Sequence, residues 1–123
     1  MINGIINVYK ERGFTSFDVV AKLRGILHER KIGHTGTLDP EATGVLPVCI
    51  GNATKVCELL TDKDKVYRTV MHLGITTDTQ DMTGTVKEDR SREAALLKEQ
   101  TVEAAILQFV GDYEQIPPMY SAC

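Results

Sequence analysis

Long hydrophobic runs are missing from this chain of 123 residues. A membrane-spanning helix needs about twenty consecutive apolar residues, and no such stretch is present. The first ten residues, Met1 to Lys10, lack a basic segment followed by an apolar run and a small-residue cleavage site. No secretory signal peptide is expected, and the protein is placed in the cytoplasm. Cysteine is scarce and odd in number: Cys49, Cys57 and Cys123. They form no C-x-x-C pair, so a zinc site is not expected. Cys49 and Cys57 sit in apolar surroundings and read as reduced core residues. Asn52-Ala53-Thr54 matches a glycosylation acceptor in pattern, but a cytoplasmic chain does not meet that machinery. No pair of histidines has metal spacing. No Gly-Lys-Ser/Thr follows a glycine-rich turn, which excludes a phosphate loop, and no G-x-S-x-G is present for a nucleophile elbow. Asp78 and Asp81 fail the spacing of a calcium loop. There is no internal repeat and no low-complexity linker.

Positive charge is not in excess either. The net charge is −3, which does not announce a nucleic-acid binder, although such binding needs only a local basic face. Lys22, Arg24, Arg30 and Lys31 form a modest patch with His28 and His34 nearby, opposed by Asp18 and Glu29. On charge alone a solvated helix face explains it equally well. The apolar fraction of 42% and charged fraction of 25% are those of an ordinary globular protein, of a size that makes one domain or a piece of one.

The pattern of what is present predicts alternating short elements. Gly4 to Tyr9 carries Ile5, Ile6 and Val8 and reads as a strand. Thr15 followed by Asp18 is a capping-box-like helix start. Val19, Leu23, Ile26 and Leu27 then form one stripe of a helix ending near Arg30. Val45 to Ile50 reads as a buried strand interrupted by Pro47. Ala53 to Leu60 reads as a short helix with Val56, Leu59 and Leu60 inward. Lys65 to Leu73 alternates as a strand, with Tyr67, Thr69, Met71 and Leu73 on one face. Gly74 to Gly84 reads as a polar loop and Thr85 to Lys87 as a brief strand. Thr101 can cap a helix striped by Val102, Ala105, Ile106, Phe109 and Val110, ended by Gly111. Gln115 to Tyr120 is extended, because Pro117 and Pro118 forbid helix. The order lacks a regular βαβ alternation, so an α+β fold with a mixed or antiparallel sheet is expected.

Between the first helix and the strand at Val45 lies GHTGTLDPEATG, residues Gly33 to Gly44. Three glycines and a proline without a regular period make it a loop of specified shape. Asp39 precedes Pro40, which pushes its backbone toward an extended conformation. Such a carboxylate can be aimed into a cleft. It can equally cap its own turn, as aspartate often does, and local physics alone favours the cap.

The longer segment GHTGTLDPEATGVLPVCIGNATK resembles the signature of bacterial tRNA pseudouridine-55 synthases, the TruB family. Three further segments resemble that family in order. INGIINVYKERGFTSFDVV matches its opening, with the phrase K-x-x-G-x-T-S. KVYRTVMHLGITTDTQDMTG matches its second motif, and QIPPMYSA the start of its third. The resemblance covers essentially the whole chain. It implies a pseudouridine synthase catalytic fold, of which residues 1–123 would be the N-terminal part, incomplete at the C-terminal side. It implies isomerisation of uridine 55 in the tRNA T-loop, with Asp39 as the catalytic carboxylate. Tyr67 corresponds to a tyrosine that packs on the flipped uracil. His34 corresponds to a histidine that enters the tRNA loop and helps hold it open. Lys55, Asp78 and Tyr120 are cleft or scaffold positions without an assigned role. The implied partner is the T-arm of tRNA; no metal, organic cofactor, membrane or protein partner is implied.

Family members run on beyond the length of this chain. After Tyr-Ser-Ala they continue with an aliphatic residue and a lysine, where this sequence has Cys123. The family's later half carries an arginine that pairs with the catalytic aspartate, an aromatic wall of the base pocket and a C-terminal RNA-binding region. Glu41 stands where leucine is common, and Thr76 where many members have arginine. Two readings follow: an RNA-modifying enzyme represented here in part and inactive as this stretch alone, or a non-catalytic RNA-binding or RNA-folding module that retains the motif.

Overall fold

The structure is a computed structural model that describes residues 1–117. Tyr120 and Cys123, and the end of the extended segment expected at Gln115 to Tyr120, lie outside the described residues. The chain divides into two compact units, one of Met1–Tyr67 and one beginning at Arg68.

The first unit is a three-stranded antiparallel sheet covered by one helix. β1 (Gly4–Lys10) and β2 (Ile32–His34) flank a central β3 (Gly44–Ile50). The register runs from Gly4 opposite Ile50 to Lys10 opposite Gly44, and β2 pairs Ile32 with Ile50 and His34 with Val48. Apolar side chains of the central strand, Leu46, Val48 and Ile50, meet Val19 and Val20 of α1 (Ser16–Leu27) and Ile32 of β2. Val8, Phe14, Leu23, Leu27 and Leu38 close the margin of this core. Ile26, expected in the helix stripe, is exposed.

Pro47 does not interrupt the strand. Its carbonyl accepts the Thr35 amide at 3.0 Å on the β2 side, and a strand residue directs its N and C=O to the same side. The donor that proline lacks therefore falls just past the last β2 pair, where no ladder partner is deprived.

Helix α1 starts as its sequence requires. The Thr15 hydroxyl accepts the Asp18 amide at 2.9 Å, and the Asp18 carboxylate accepts the Thr15 amide at 2.9 Å. Two of the backbone donors left over at the helix start are met. The Thr15 amide and then its hydroxyl hold the Asp18 carboxyl below the usual carboxylate range. Its contribution to stability is therefore present above the ordinary carboxylate pKa and fades as pH falls through the lowered value. Thr15→Ala is expected to destabilise the protein by about 1 kcal/mol, with Thr15→Ser close to neutral, read from urea unfolding midpoints at pH 7. Beyond α1, His28 adopts the left-handed conformation with φ of 52° and ends the helix, a role usually given to glycine or asparagine.

After β3 a 3-10 turn (Gly51–Val56) leads into the short α2 (Cys57–Thr61). Val56 and Leu60 are half-buried but Leu59 is exposed, because the tighter 3-10 winding shifts the face expected of a continuous α-helix. Cys49 is buried and Cys57 half-buried, both as free thiols. Burial first, and then the neighbouring Cys57, push the Cys49 thiol up to about 11.

The strand expected at Lys65 to Leu73 is not formed. A strand needs a hydrogen-bonding neighbour, and no described segment pairs with these residues. Tyr67 and Met71, on the face expected to pack, are 67% and 61% exposed, so the alternation meets no apolar surface among the described residues.

The second unit holds an antiparallel hairpin and two helices. β4 (Ile75–Thr77) pairs with β5 (Val86–Asp89), with a bulge between Thr76 and Thr77. The polar loop expected over Gly74 to Gly84 thus contains a strand. The Asp81 carboxylate gathers the Thr79 and Thr83 hydroxyls and the Thr83 amide, and these hold its carboxyl below the usual range. α3 (Ser91–Ala94) precedes α4 (Glu99–Leu107). α4 begins after Lys98 rather than at Thr101 and ends at Leu107 rather than at Gly111, and Ile106, Phe109 and Val110 of the expected stripe are exposed. Among the described residues all strand pairs are antiparallel, and the fold is α+β.

Candidate functional site

The loop between β2 and β3 is the segment where the chain presents polar groups from a fixed frame. It leaves the sheet at His34 and returns at Gly44. Each end is locked by a neighbouring strand: His34 opposite Val48, Gly44 opposite Lys10. Thr35, the first residue outside β2, is buried, and its hydroxyl reaches the Pro47 carbonyl at 3.2 Å. Gly36 takes a φ of +98°, a left-handed conformation in which a side chain would be strained. The His34 ring Nδ1 hydrogen-bonds the Gly36 carbonyl. That contact fixes the half-buried imidazole against the loop, and its other nitrogen has no hydrogen-bond partner among the described residues.

Asp39 stands at the first position of a tight turn. The Ala42 amide donates to the Asp39 carbonyl at 2.9 Å, and Pro40 occupies the second position, where its fixed φ suits such a turn. The backbone closes this turn. Among the described residues the Asp39 carboxylate has no hydrogen-bond or ion-pair partner, and the residue is exposed. The side-chain cap favoured by local physics is therefore not the arrangement adopted. By contrast its neighbour Glu41 lies 3.5 Å from Arg12 in an exposed ion pair. Leu38, on the other side, packs toward the core.

His34 and Asp39 thus belong to one loop. Tyr67 is the last residue of the first unit, outside any strand, and 67% exposed. The Lys65 side chain, two residues before it, reaches the loop: its Cε lies 3.6 Å from where a Cβ on Gly36 would sit. The basic patch is partly engaged in structure. Arg24 donates to the Ile32 carbonyl at 3.4 Å, and the Lys22 ammonium lies 5.5 Å above the Phe14 ring. Arg30 and Lys31 remain exposed. Among the described residues no group of three or more His, Cys, Asp or Glu side chains could hold a metal ion, and no helix is long and apolar enough to cross a membrane.

Residues 24–123 match the family model of the TruB family pseudouridylate synthase N-terminal domain. The chain belongs to the TruB family. It is 68% identical over 121 residues to the tRNA pseudouridine synthase B of Lachnoclostridium phytofermentans, covering 98% of this chain and 38% of the relative. It is 53% identical over 122 residues to the enzyme of that name from Bacillus pumilus, covering 99% of this chain and 39% of the relative. The chain therefore spans about two-fifths of the length of these relatives. Among solved structures, a Cbf5-Nop10-Gar1 complex matches 97% of this chain and 30% of its own, with a TM-score of 0.61 and 30% identity. The α+β pseudouridine synthase fold expected from the sequence is the fold observed.

Sequence reasoning did not single out the residues of the β1–α1 turn that meet this loop. The Gly13 amide donates to the Pro40 carbonyl at 2.8 Å. The signal for it was present in the phrase Lys10-x-x-Gly13-x-Thr15-Ser16, which carried the resemblance to the family without stating what those residues touch.

Proposed function

We propose that the protein converts uridine 55 in the T-loop of tRNA to pseudouridine, with residues 1–123 forming the N-terminal part of its catalytic domain. The observation that carries this reading is the exposed Asp39 carboxylate, unpartnered among the described residues, on a loop whose backbone is fixed on both sides. The reaction breaks the N1–C1′ glycosidic bond, turns the uracil and rejoins it through C5. Like glycoside chemistry, it calls for an ionised carboxylate beside C1′, and this is the role of Asp39. The target base is stacked within a folded RNA loop and must leave the stack before chemistry. Tyr67 supplies an aromatic face for the extracted base, and His34 enters the space the loop opens. The chemistry asks for no metal or organic cofactor. The substrate is the T-arm of tRNA, and the cytoplasm is where the reaction takes place.

Residues 1–123 taken alone are expected to be inactive. Val66, Val70 and Ile116 expose apolar side chains, the segment from Lys65 is unpaired among the described residues, and such surfaces favour self-association. The test is a T-loop RNA hairpin incubated with the purified 123-residue protein and, in parallel, with the Lachnoclostridium enzyme. Pseudouridine is detected by its carbodiimide adduct, and mass by light scattering. Product only in the control supports the expected inactivity of residues 1–123 alone. Multiple turnovers by a monodisperse monomer would overturn that inactivity. Product from the complete reading frame supports the proposed reaction, and tight hairpin binding by it without any product would favour a non-catalytic RNA-binding module.

A further inference from the structure

The two thiols of the first unit have no part in the reaction proposed for Asp39, yet the fold brings them together. Leu46, Val48 and Ile50 of β3 pack with α1. Cys49 alternates with them and so points to the opposite face of the sheet. In β2 the residue opposite Cys49 is Gly33, and paired residues of an antiparallel ladder project to the same side. The Sγ of Cys57, the first residue of α2, lies 3.4 Å from where a Cβ on Gly33 would sit. Cys57 thus stands in the room that a longer side chain at position 33 would take, beside Cys49. The Cys49 thiol hydrogen-bonds to it.

The two thiols differ in access. Cys49 is 0% exposed and Cys57 is half-buried, and both are free. A small oxidant therefore meets Cys57 first. A cysteine oxidised with no thiol beside it proceeds from sulfenic to sulfinic and sulfonic acids, which are irreversible. With a second thiol in contact it stops at a disulfide, which a reducing thiol reverses. Two aliphatic side chains would fill the same space without this chemistry.

We propose that Cys57 is a site of reversible oxidation by peroxides and that Cys49 is its resolving thiol. In the first step the Cys57 sulfur attacks hydrogen peroxide and breaks its O–O bond. Cys57 becomes a sulfenic acid, and the other oxygen leaves as water with the thiol proton. In the second step the Cys49 sulfur attacks the Cys57 sulfur. The S–S bond forms, and the sulfenic hydroxyl leaves as water with the Cys49 proton. One peroxide is reduced to two waters, and two thiols are oxidised to one disulfide. Burial, and then Cys57, push the Cys49 thiol up to about 11. The thiolate is the better nucleophile, so the second step is slow and the pair answers sustained exposure. The disulfide ties the start of α2 to the central strand. This inference does not depend on the role of Asp39.

The test treats the folded protein, in its complete reading frame, with hydrogen peroxide at neutral pH. Peptides are mapped by mass before and after dithiothreitol. A linked Cys49–Cys57 pair lighter by two hydrogens is expected, and dithiothreitol should return both thiols. In Cys49→Ala that link is lost, and Cys57 should gain two or three oxygens that dithiothreitol does not remove. In Cys57→Ala, Cys49 should remain a free thiol under the same treatment, shielded by burial. Both thiols left free in the parent, or either of them joined to Cys123 instead, would overturn the proposal. So would irreversible oxidation of Cys57 to the same extent in the parent and in Cys49→Ala, since Cys49 would then resolve nothing. The parent alone decides whether the disulfide forms, even where a variant fails to fold.

Discussion

Asp39→Asn is expected to lower pseudouridine formation by about 10⁴-fold or more in the complete reading frame, the scale seen when a group at the reacting centre is removed. Affinity for tRNA should change by less than about threefold, because the substitution is isosteric and removes only a charge, beside a sugar ring rather than a phosphate. The fold should be indifferent to it. Asp39 is exposed, and its carboxylate has no partner among the described residues. A substitution at such a place usually moves stability by no more than about 0.5 kcal/mol. The Asp39 turn is closed by its backbone carbonyl and the Ala42 amide, a bond that asparagine retains. Single-turnover rates and a filter-binding isotherm measure the two quantities separately. Turnover close to that of the parent would end the assignment of Asp39 to the reaction, whatever the binding result.

How much of this was legible in the sequence depends on where each residue finds its partners. β1, α1 and β3 pack on one another within the first unit, and their apolar spacing and the Thr15 capping box announce them. β2 is not announced by the sequence: Gly33 and His34 read as the start of the loop, and Ile32–His34 is three residues long and carries no period. It exists because Ile50, Cys49 and Val48 offer it a ladder. The segment from Lys65 to Leu73 shows the reverse. Its alternation is that of a strand, but pairing is a property of two segments, and among the described residues the second is not there. The same holds for α4, whose helical spacing is real while Ile106 and Phe109 stay exposed. The site was legible as a loop and a carboxylate. Composition could not distinguish a cap from a presented acid, because that choice depends on whether a backbone carbonyl closes the turn.

Tyr67→Leu is expected to reduce turnover by about tenfold to a hundredfold, matching the loss of about 1–3 kcal/mol of base stacking on an aromatic face. The unfolding midpoint should barely move. A tyrosine on a strand usually packs into a core, and the alternation from Lys65 to Leu73 suggested that fate. The structure removes its premise, since Tyr67 lies outside any strand and is 67% exposed. Leucine keeps an apolar side chain of comparable reach but has no π face for uracil. Tyr67→Phe tests the hydroxyl apart from the proposed stack: it keeps the ring and removes the phenol oxygen. If the phenol only stacks, Phe restores nearly full turnover. If the phenol also assists proton removal, Phe remains slow while substrate affinity recovers. Thermal unfolding of each variant accompanies the kinetics. A loss of turnover in Tyr67→Leu that is wholly accounted for by a lower midpoint would make Tyr67 a packing residue and remove it from the base pocket.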